Sequence, residues 1–232
     1  MLGPSRTPVP NTHEDILGVV GTGEWKGRDL KKKDKPVTHK HEITPSNIMP
    51  MAAYAPIRKE KRRQIIELKR HRRMAVGPDV MFYFENYDTM WNQVHEMLYA
   101  EGGGAAQIAD ELAAFNPLIP KGAELVATMM IEIADEKRRA AVLGQLGGIE
   151  NTVTLTVGDH VIAGAPERDV ERTSAGGKTS SVHFLHFAFP SAAIQDFRAG
   201  RAQALLAINI EGYQHMAMMP EDVRKALAQD FD

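Results

Sequence analysis

The chain has 232 residues, a formal net charge of −2 and no cysteine. The absence of cysteine excludes disulfides, thiolate nucleophiles, cysteine-bound zinc and any iron–sulfur cluster held by this chain's own thiolates, so an unknown cofactor, if bound, is not bound through cysteine. Apolar runs are shorter than the roughly 20 residues of a membrane-spanning helix and no secretory signal is evident, so we expect a cytoplasmic protein without membrane insertion.

Residues 1–42 differ in composition from the rest of the chain. Pro, Gly and Thr are frequent as far as Gly23, and the run Lys31 to Lys33 follows with few apolar neighbours. Such a segment cannot build a core of its own. We therefore expect an extended N-terminal segment over 1–42, in which Trp25 is either an anchor or incidental, followed by a single domain over 43–232.

The first half of that domain reads as helical. Pro56 fits the first turn of a helix that continues to about Arg73 and ends before Gly77-Pro78. A short strand over 81–84 comes next, and Asn86 is placed to cap a helix over about 87–99. A further helix is predicted over 105–115.

The second half contains most of the predicted strands. Apolar residues at 126–133 indicate a strand, 135–148 a helix, and the period-two alternation of 151–166 a hairpin. The segments SSVHFLHFAFP and ALLAINIEG are strand candidates, each followed or preceded by a short helix, and the chain ends in a helix that begins near Pro220. We therefore predict an α+β fold, in which a helical N-terminal part packs on a mixed or antiparallel sheet of four to five strands, with an extended N-terminal tail.

The stretch RTSAGGKTSS nearly matches a phosphate-binding loop. Arg172 occupies the position of the first glycine, and the residues after Thr179 favour a strand where a P-loop requires a helix. A P-loop ATPase is therefore not expected. Two interpretations stay open: a flexible turn that uses Gly176 and Gly177, or a small anion site built from Arg172, Lys178 and the adjacent hydroxyls.

The strongest physical feature is the basic helix RKEKRRQIIELKRHRR. Such a density of positive charge is self-repelling unless an anion lies nearby. It is either a solvated face balanced by acids elsewhere in the fold, or a surface for a partner or an anionic ligand. Nucleic acid is the least favoured ligand, because the whole chain is not basic and no aromatic residues interleave with the charges. The candidate partner- or anion-binding residues are Arg58, Arg62, Arg63, Lys69, Arg70, Arg73, Arg172 and Lys178.

A metal site is a weaker hypothesis. Di-iron bundles use Glu-x-x-His pairs, whereas here the matching pair is Asn92-x-x-His95, which is one ligand short. A site assembled in space from Glu85, Glu132 and His183 is the remaining metal hypothesis. The alternative is that Glu85 and Asn86 only stabilise the start of the following helix.

Several segments together resemble the bacterial family called domain of unknown function 3501. They are ITPSNIMPMAAYAPIRKEKRRQIIELKRHRRMAVGPDVMFYFENYDTMWNQVHEML, ELAAFNPLIPKGAELVATMMIEI and ERTSAGGKTSSVHFLHF. The resemblance implies no catalytic residues. It does imply neighbouring genes for rubrerythrin-like and iron–sulfur proteins, and hence an accessory role in redox or peroxide defence.

Two functions follow as hypotheses, and whether the protein is an enzyme stays open. In the first, an accessory protein docks on a rubrerythrin-like or iron–sulfur partner through its basic helix and N-terminal segment. In the second, an enzyme or binding domain holds a small anion or metal ion in a pocket near Glu85, Arg172, Lys178 and His183.

Overall fold

The structure is a computed structural model that describes residues 41–167 and 177–232, and in these ranges the chain forms six α-helices and nine strands. The helices are α1 (Met51–Arg70), α2 (Tyr87–Glu101), α3 (Ala105–Phe115), α4 (Glu136–Gln145), α5 (Ser191–Ala199) and α6 (Glu221–Leu227). The strands are β1 (Arg73–Val76), β2 (Val80–Glu85), β3 (Glu124–Ile131), β4 (Val153–Val157), β5 (His160–Ala163), β6 (Ala165–Pro166), β7 (Val182–Ala188), β8 (Ala204–Ile210) and β9 (Tyr213–Met218). The predicted extended segment over 1–42 lies outside the described residues except for its last two.

The strands form two sheets in which every pairing is antiparallel. One sheet has five strands in the order β1-β2-β3-β7-β6, and the other has four in the order β5-β4-β8-β9. Side chains alternate between the two faces of each strand. Phe82 and Phe84 of the first sheet and Leu155 and Leu206 of the second are at most 1% exposed, and they belong to one core cluster between the sheets.

The two sheets close onto each other at both sides. On one side the chain passes from β5 to β6 through Gly164, whose Cα lies so close to Phe187 that an added Cβ would be 3.1 Å from the ring. On the other side the Tyr213 hydroxyl of β9 donates to the Val76 carbonyl (2.8 Å) and accepts from the Asp79 amide (3.0 Å). The result is a nearly closed, barrel-like arrangement.

The predicted fold, one mixed or antiparallel sheet of four to five strands beneath a helical part, is therefore wrong. Two of the strands that it lacks are β1 and β9. Their sequences, RMAV and YQHMAM, contain Met, Ala, Arg and Gln, which favour helices, and few of the β-branched residues that indicate strands. The predicted basic helix extends to Arg73, the first residue of β1.

Helix α1 begins earlier than predicted and ends earlier too. It starts at Met51, so Pro56 lies inside the helix and not in its first turn. A proline at this position removes one backbone hydrogen bond, to the carbonyl of Ala52. That carbonyl belongs to an exposed residue, so water can replace the missing donor.

Helix α2 has the start that its sequence predicts. The Asn86 side chain accepts a hydrogen bond from the Thr89 amide (3.0 Å), and the Thr89 hydroxyl accepts one from the Asn86 amide (2.9 Å). This reciprocal arrangement satisfies amides that have no partner within the helix. The predicted cap is confirmed.

Helices α2 and α3 cover the outer face of the five-stranded sheet. Val126 of β3 is buried there against Val94 and Leu98 of α2 and Leu112 of α3, which form a second core cluster. No helix in the described ranges is both long enough and apolar enough to cross a bilayer.

Candidate functional site

Helix α1 lies largely in solvent. It has 20 residues, of which Tyr54 is the one that is buried. Two of its isoleucines, Ile57 and Ile66, remain 36% and 49% exposed. Because an amphipathic helix normally buries a full stripe of apolar residues, α1 is held by a few specific contacts and presents most of its surface outward.

The main contact between α1 and α2 is centred on Glu96. Its carboxylate accepts hydrogen bonds from the Tyr54 hydroxyl (2.8 Å) and from the Arg58 guanidinium, with Nη2 at 2.8 Å and Nε at 3.0 Å. Burial raises the pKa of Glu96, but the hydrogen bonds from Arg58 and Tyr54 outweigh it, so the net pKa is below its usual range. Arg58 also lies 4.4 Å above the ring centroid of Tyr99.

A second contact involves two aromatic residues of α2. The His95 ring stacks on Trp91 at 3.7 Å between centroids; its Nδ1 donates to the Trp91 carbonyl (2.7 Å), and its Nε2 accepts from the Met49 amide (3.0 Å). Burial lowers the pKa of His95, which agrees with the neutral tautomer that these bonds require. His95 therefore has a structural role, since it holds the backbone of Met49, just before α1, against α2.

The fold supplies counter-charges for several of the basic residues. Arg58 pairs with Glu96, Arg63 with Glu60 at 2.5 Å, and Arg70 with Glu67 at 3.0 Å. The charge of Arg62 also acts on Glu96 and helps to lower the pKa of that carboxyl. Part of the predicted cluster is therefore neutralised within the chain, and the argument for an external anion rests on the residues that face away from α2.

Those residues form a stripe along the outer side of α1, which we call the outer stripe: Lys59, Arg63, Ile66 and Arg70. A rotation of 100° per residue puts the three cations within about 40° of the direction opposite Tyr54, with Ile66 beside them. All four side chains are exposed. Glu67 and Glu60, which pair with Arg70 and Arg63, lie about 40° and 60° from the same direction, so the stripe is mixed with a net positive charge. Lys69 is half-buried on the side of α1, and Arg73 is exposed on β1, so neither belongs to the stripe.

The predicted metal ligands do not come together. Glu85 is opposite Val126 in the sheet and His183 is opposite Met129, so Glu85 and His183 point to opposite faces. Glu85 accepts from the Thr128 hydroxyl (2.8 Å), whereas Glu132 is exposed and accepts from the Tyr83 hydroxyl (2.8 Å). Among residues 41–167 and 177–232, no group of three His, Asp or Glu residues is placed to hold a metal ion.

The GGKTSS segment leads into a strand, as predicted, because β7 begins at Val182. Thr179 and His183 are buried, with the Thr179 hydroxyl 3.1 Å from His183 Nε2, and His183 Nδ1 lies 3.6 Å from Glu150. Lys178 is exposed, and Arg172 lies outside the described residues. The predicted anion pocket near Glu85, Arg172, Lys178 and His183 is therefore not assembled by the residues that the structure describes.

One polar cluster that the sequence did not indicate consists of His186, Glu124 and Glu167, which we call the histidine clamp. His186 on β7 lies between two carboxylates, with Nδ1 at 3.1 Å from Glu124 and Nε2 at 3.5 Å from Glu167. Hydrogen bonds to Glu124 and Glu167 raise the pKa of His186 to about 9, so the ring is an imidazolium at neutral pH. No local motif marks these residues, since Glu124 is 62 positions away along the chain.

Replacing His186 by glutamine is expected to destabilise the protein in a pH-dependent way. The folded-state pKa is about 9 against 6.5 for the free side chain, so the clamp stabilises fully near pH 6 and loses its effect as pH rises through 9. With partial solvent screening the loss is on the order of 2 kcal/mol at pH 6. Urea denaturation at pH 6 and pH 10 measures it. His71→Gln, which removes an exposed pair with Asp222, is the control, and an equal loss at both pH values for His186→Gln would contradict the clamp.

Comparison with known proteins places the chain in a family. The family described as a protein of unknown function (DUF3501) matches residues 42–231. The chain belongs to the DUF3501 family. This DUF3501 chain is also similar to a crystal structure of a protein of unknown function from Burkholderia pseudomallei, with 34% sequence identity, a TM-score of 0.76, and coverage of 82% of this chain and 99% of that chain. No curated protein matches it.

Proposed function

We propose that this protein is an accessory protein that docks through the outer stripe of α1 on an acidic surface of a redox partner. The observation that carries the proposal is the exposure of α1: a helix of 20 residues buries Tyr54 and turns Lys59, Arg63, Ile66 and Arg70 to solvent. A helix that buries little of its own surface leaves charged and apolar side chains that a partner can cover.

The intrahelical pairs of the stripe do not prevent docking. Arg63–Glu60 and Arg70–Glu67 have side chains that are 54–68% exposed, and exposed pairs of this kind contribute only about 0.3–0.5 kcal/mol. When a partner docks and water is excluded, its carboxylates bind guanidinium groups more strongly than the intrahelical acids do, because each carboxylate can accept two parallel hydrogen bonds. Ile66, 49% exposed, adds an apolar contact between the charges.

The predicted basic set therefore divides into two groups by role. Arg58 and Arg62 act on Glu96 and hold α1 in place, whereas Arg63, Arg70 and Lys59 are available to a partner. The family resemblance makes rubrerythrin-like and iron–sulfur proteins the first partners to test. Any iron–sulfur cluster belongs to the partner in this proposal, since this chain has no cysteine to hold one. A contribution from residues 1–42 stays a prediction.

Charge reversal of the stripe is the test. The variant Lys59→Glu/Arg63→Glu/Arg70→Glu is expected to bind a purified rubrerythrin-like or iron–sulfur protein of the same host at least about 100-fold more weakly than the unmodified chain. Isothermal titration calorimetry at low and at moderate salt measures the affinity, and binding of the unmodified chain should weaken as salt rises.

The matched control changes the same number of charges elsewhere. Lys137, Arg201 and Lys225 are exposed and lie outside α1, so Lys137→Glu/Arg201→Glu/Lys225→Glu alters the net charge equally. It should retain most of the affinity. If both variants weaken binding equally, the effect comes from net charge and not from the outer stripe. If the unmodified chain binds no rubrerythrin-like or iron–sulfur protein at low salt, the proposed partner class is refuted.

A further inference from the structure

The four-stranded sheet has an outer face that differs from that of its neighbour. The outer face of the five-stranded sheet is covered by α2 and α3, as the burial of Val126 shows. On the four-stranded sheet, Val161, Met216 and Met218 are 69%, 66% and 57% exposed. We call this surface the open face; its residues are Thr154, Thr156, Val161, Ala163, Leu205, Ala207, Met216 and Met218.

The strand register arranges the open face as two rows. One row crosses the four strands as Val161, Thr156, Leu205 and Met218. The other crosses them as Ala163, Thr154, Ala207 and Met216. In each row the β5 residue is smaller than the methionine of β9, so the face slopes from large side chains at one edge to small ones at the other.

The open face carries no charge at any of its eight positions. The solvated face of an antiparallel sheet normally carries polar side chains. A contiguous exposed apolar patch marks an interaction site. The basic outer stripe of α1 suits an acidic partner, whereas an uncharged face suits another surface that is also uncharged.

We propose that the occupant of the open face is the open face of a second copy of this chain. Because the face has no charges, two copies can stack without placing like charges together. A two-fold axis parallel to the strands puts β9 of one copy over β5 of the other. Met218 then lies over Val161 and Met216 over Ala163, so that large side chains meet small ones, in the aligned stacking that is common for packed sheets.

The size of the face predicts a weak dimer. Four strands about 4.8 Å apart and two rows about 7 Å apart span on the order of 20 Å by 15 Å. Two copies then bury roughly 600–1,000 Å² in total, below the ~1,200 Å² of stable complexes. We therefore expect a dissociation constant on the order of 10–100 µM, so that the chain is a monomer when dilute and a dimer when concentrated.

Sedimentation equilibrium of the full chain over roughly 2–500 µM tests the proposal. The average mass should rise from that of the 25.7 kDa monomer toward twice that value. Met216→Lys and Ala163→Glu, each at an exposed position, should each weaken dimerisation at least about tenfold, because each buries a charge without a partner. Ala140→Lys, which adds the same charge at an exposed position of α4, is the control and should dimerise like the unmodified chain.

Mixing the two variants tests the two-fold axis. Met216→Lys and Ala163→Glu chains, each largely monomeric alone, should associate with each other, since the new lysine and glutamate then face one another. A mixture that stays monomeric overturns the proposed axis. An unmodified chain that stays monomeric over the whole concentration range overturns the proposal, and the face would then be left for residues 1–40 or a different protein. A Met216→Lys chain that dimerises as well as the unmodified chain also overturns it.

Discussion

Replacing Asp230 by alanine is expected to destabilise the protein by about 3–5 kcal/mol, because it leaves a buried guanidinium without its counter-charge. Arg72 is 2% exposed and lies between the end of α1 and the start of β1. Its Nε and Nη2 donate to the carbonyls of Phe84 and Glu85, each at 3.0 Å, and Nη2 also contacts the Asp230 carboxylate. One side chain thus joins β2 to the C-terminal end of the chain.

Urea denaturation, analysed with a common slope, measures the loss. The control is Asp222→Ala, which removes an exposed carboxylate paired with His71 and should cost far less, because solvent screens an exposed pair. The double variant Arg72→Met/Asp230→Leu removes both charges and should recover much of the lost stability. A single Asp230→Ala variant within 1 kcal/mol of the unmodified protein would show that Arg72 finds another partner or water.

Arg72 also shows how far the sequence could predict the basic segment. In the sequence it is one of nine basic residues between Arg58 and Arg73 and has no distinguishing feature. The partner that removes it from that group, Asp230, is 158 positions away. Arg58 is similar, since its partner Glu96 lies on the next helix. The density of positive charge in a segment can be read directly from the sequence. Which of those charges form ion pairs depends on the tertiary fold, which brings distant carboxylates next to them.

Local signals were the ones that predicted structure correctly. Asn86 followed by Thr89 predicts the cap of α2 without knowledge of the rest of the fold. The apolar and aromatic residues after Thr179 likewise predict the strand that rules out a P-loop. Both depend only on neighbouring residues and on the preferences of the backbone.

The metal hypothesis depended on longer-range structure. Glu85 and His183 were each placed correctly in or next to a strand, yet their faces depend on the register of β2, β3 and β7. A shift of one residue in any of these pairings reverses which side chains meet. The sequence does not fix that register, because both faces of the five-stranded sheet are covered and apolar residues occur on each.

Replacing Gly77 by alanine is expected to destabilise the protein by about 3 kcal/mol, because it strains the backbone and opens the closure between β1 and β9. Gly77 has φ of +75°, and a Cβ there would lie 2.6 Å from both the Tyr213 hydroxyl and the His215 ring. His215 is exposed and can move, but Tyr213 is fixed by its bonds to Val76 and Asp79.

A second glycine separates the backbone cost from the contact cost. Gly212 has φ of +80° with no atom near its missing Cβ, so Gly212→Ala should cost only the strain of a left-handed residue, about 1 kcal/mol. In a double-mutant cycle, Tyr213→Phe should reduce the penalty of Gly77→Ala, because the oxygen that the new methyl group meets is gone. Equal losses of stability for Gly77→Ala and Gly212→Ala would mean that the contact between β1 and β9 tolerates a methyl group. The stability of the fold would then come mainly from the core between the two sheets.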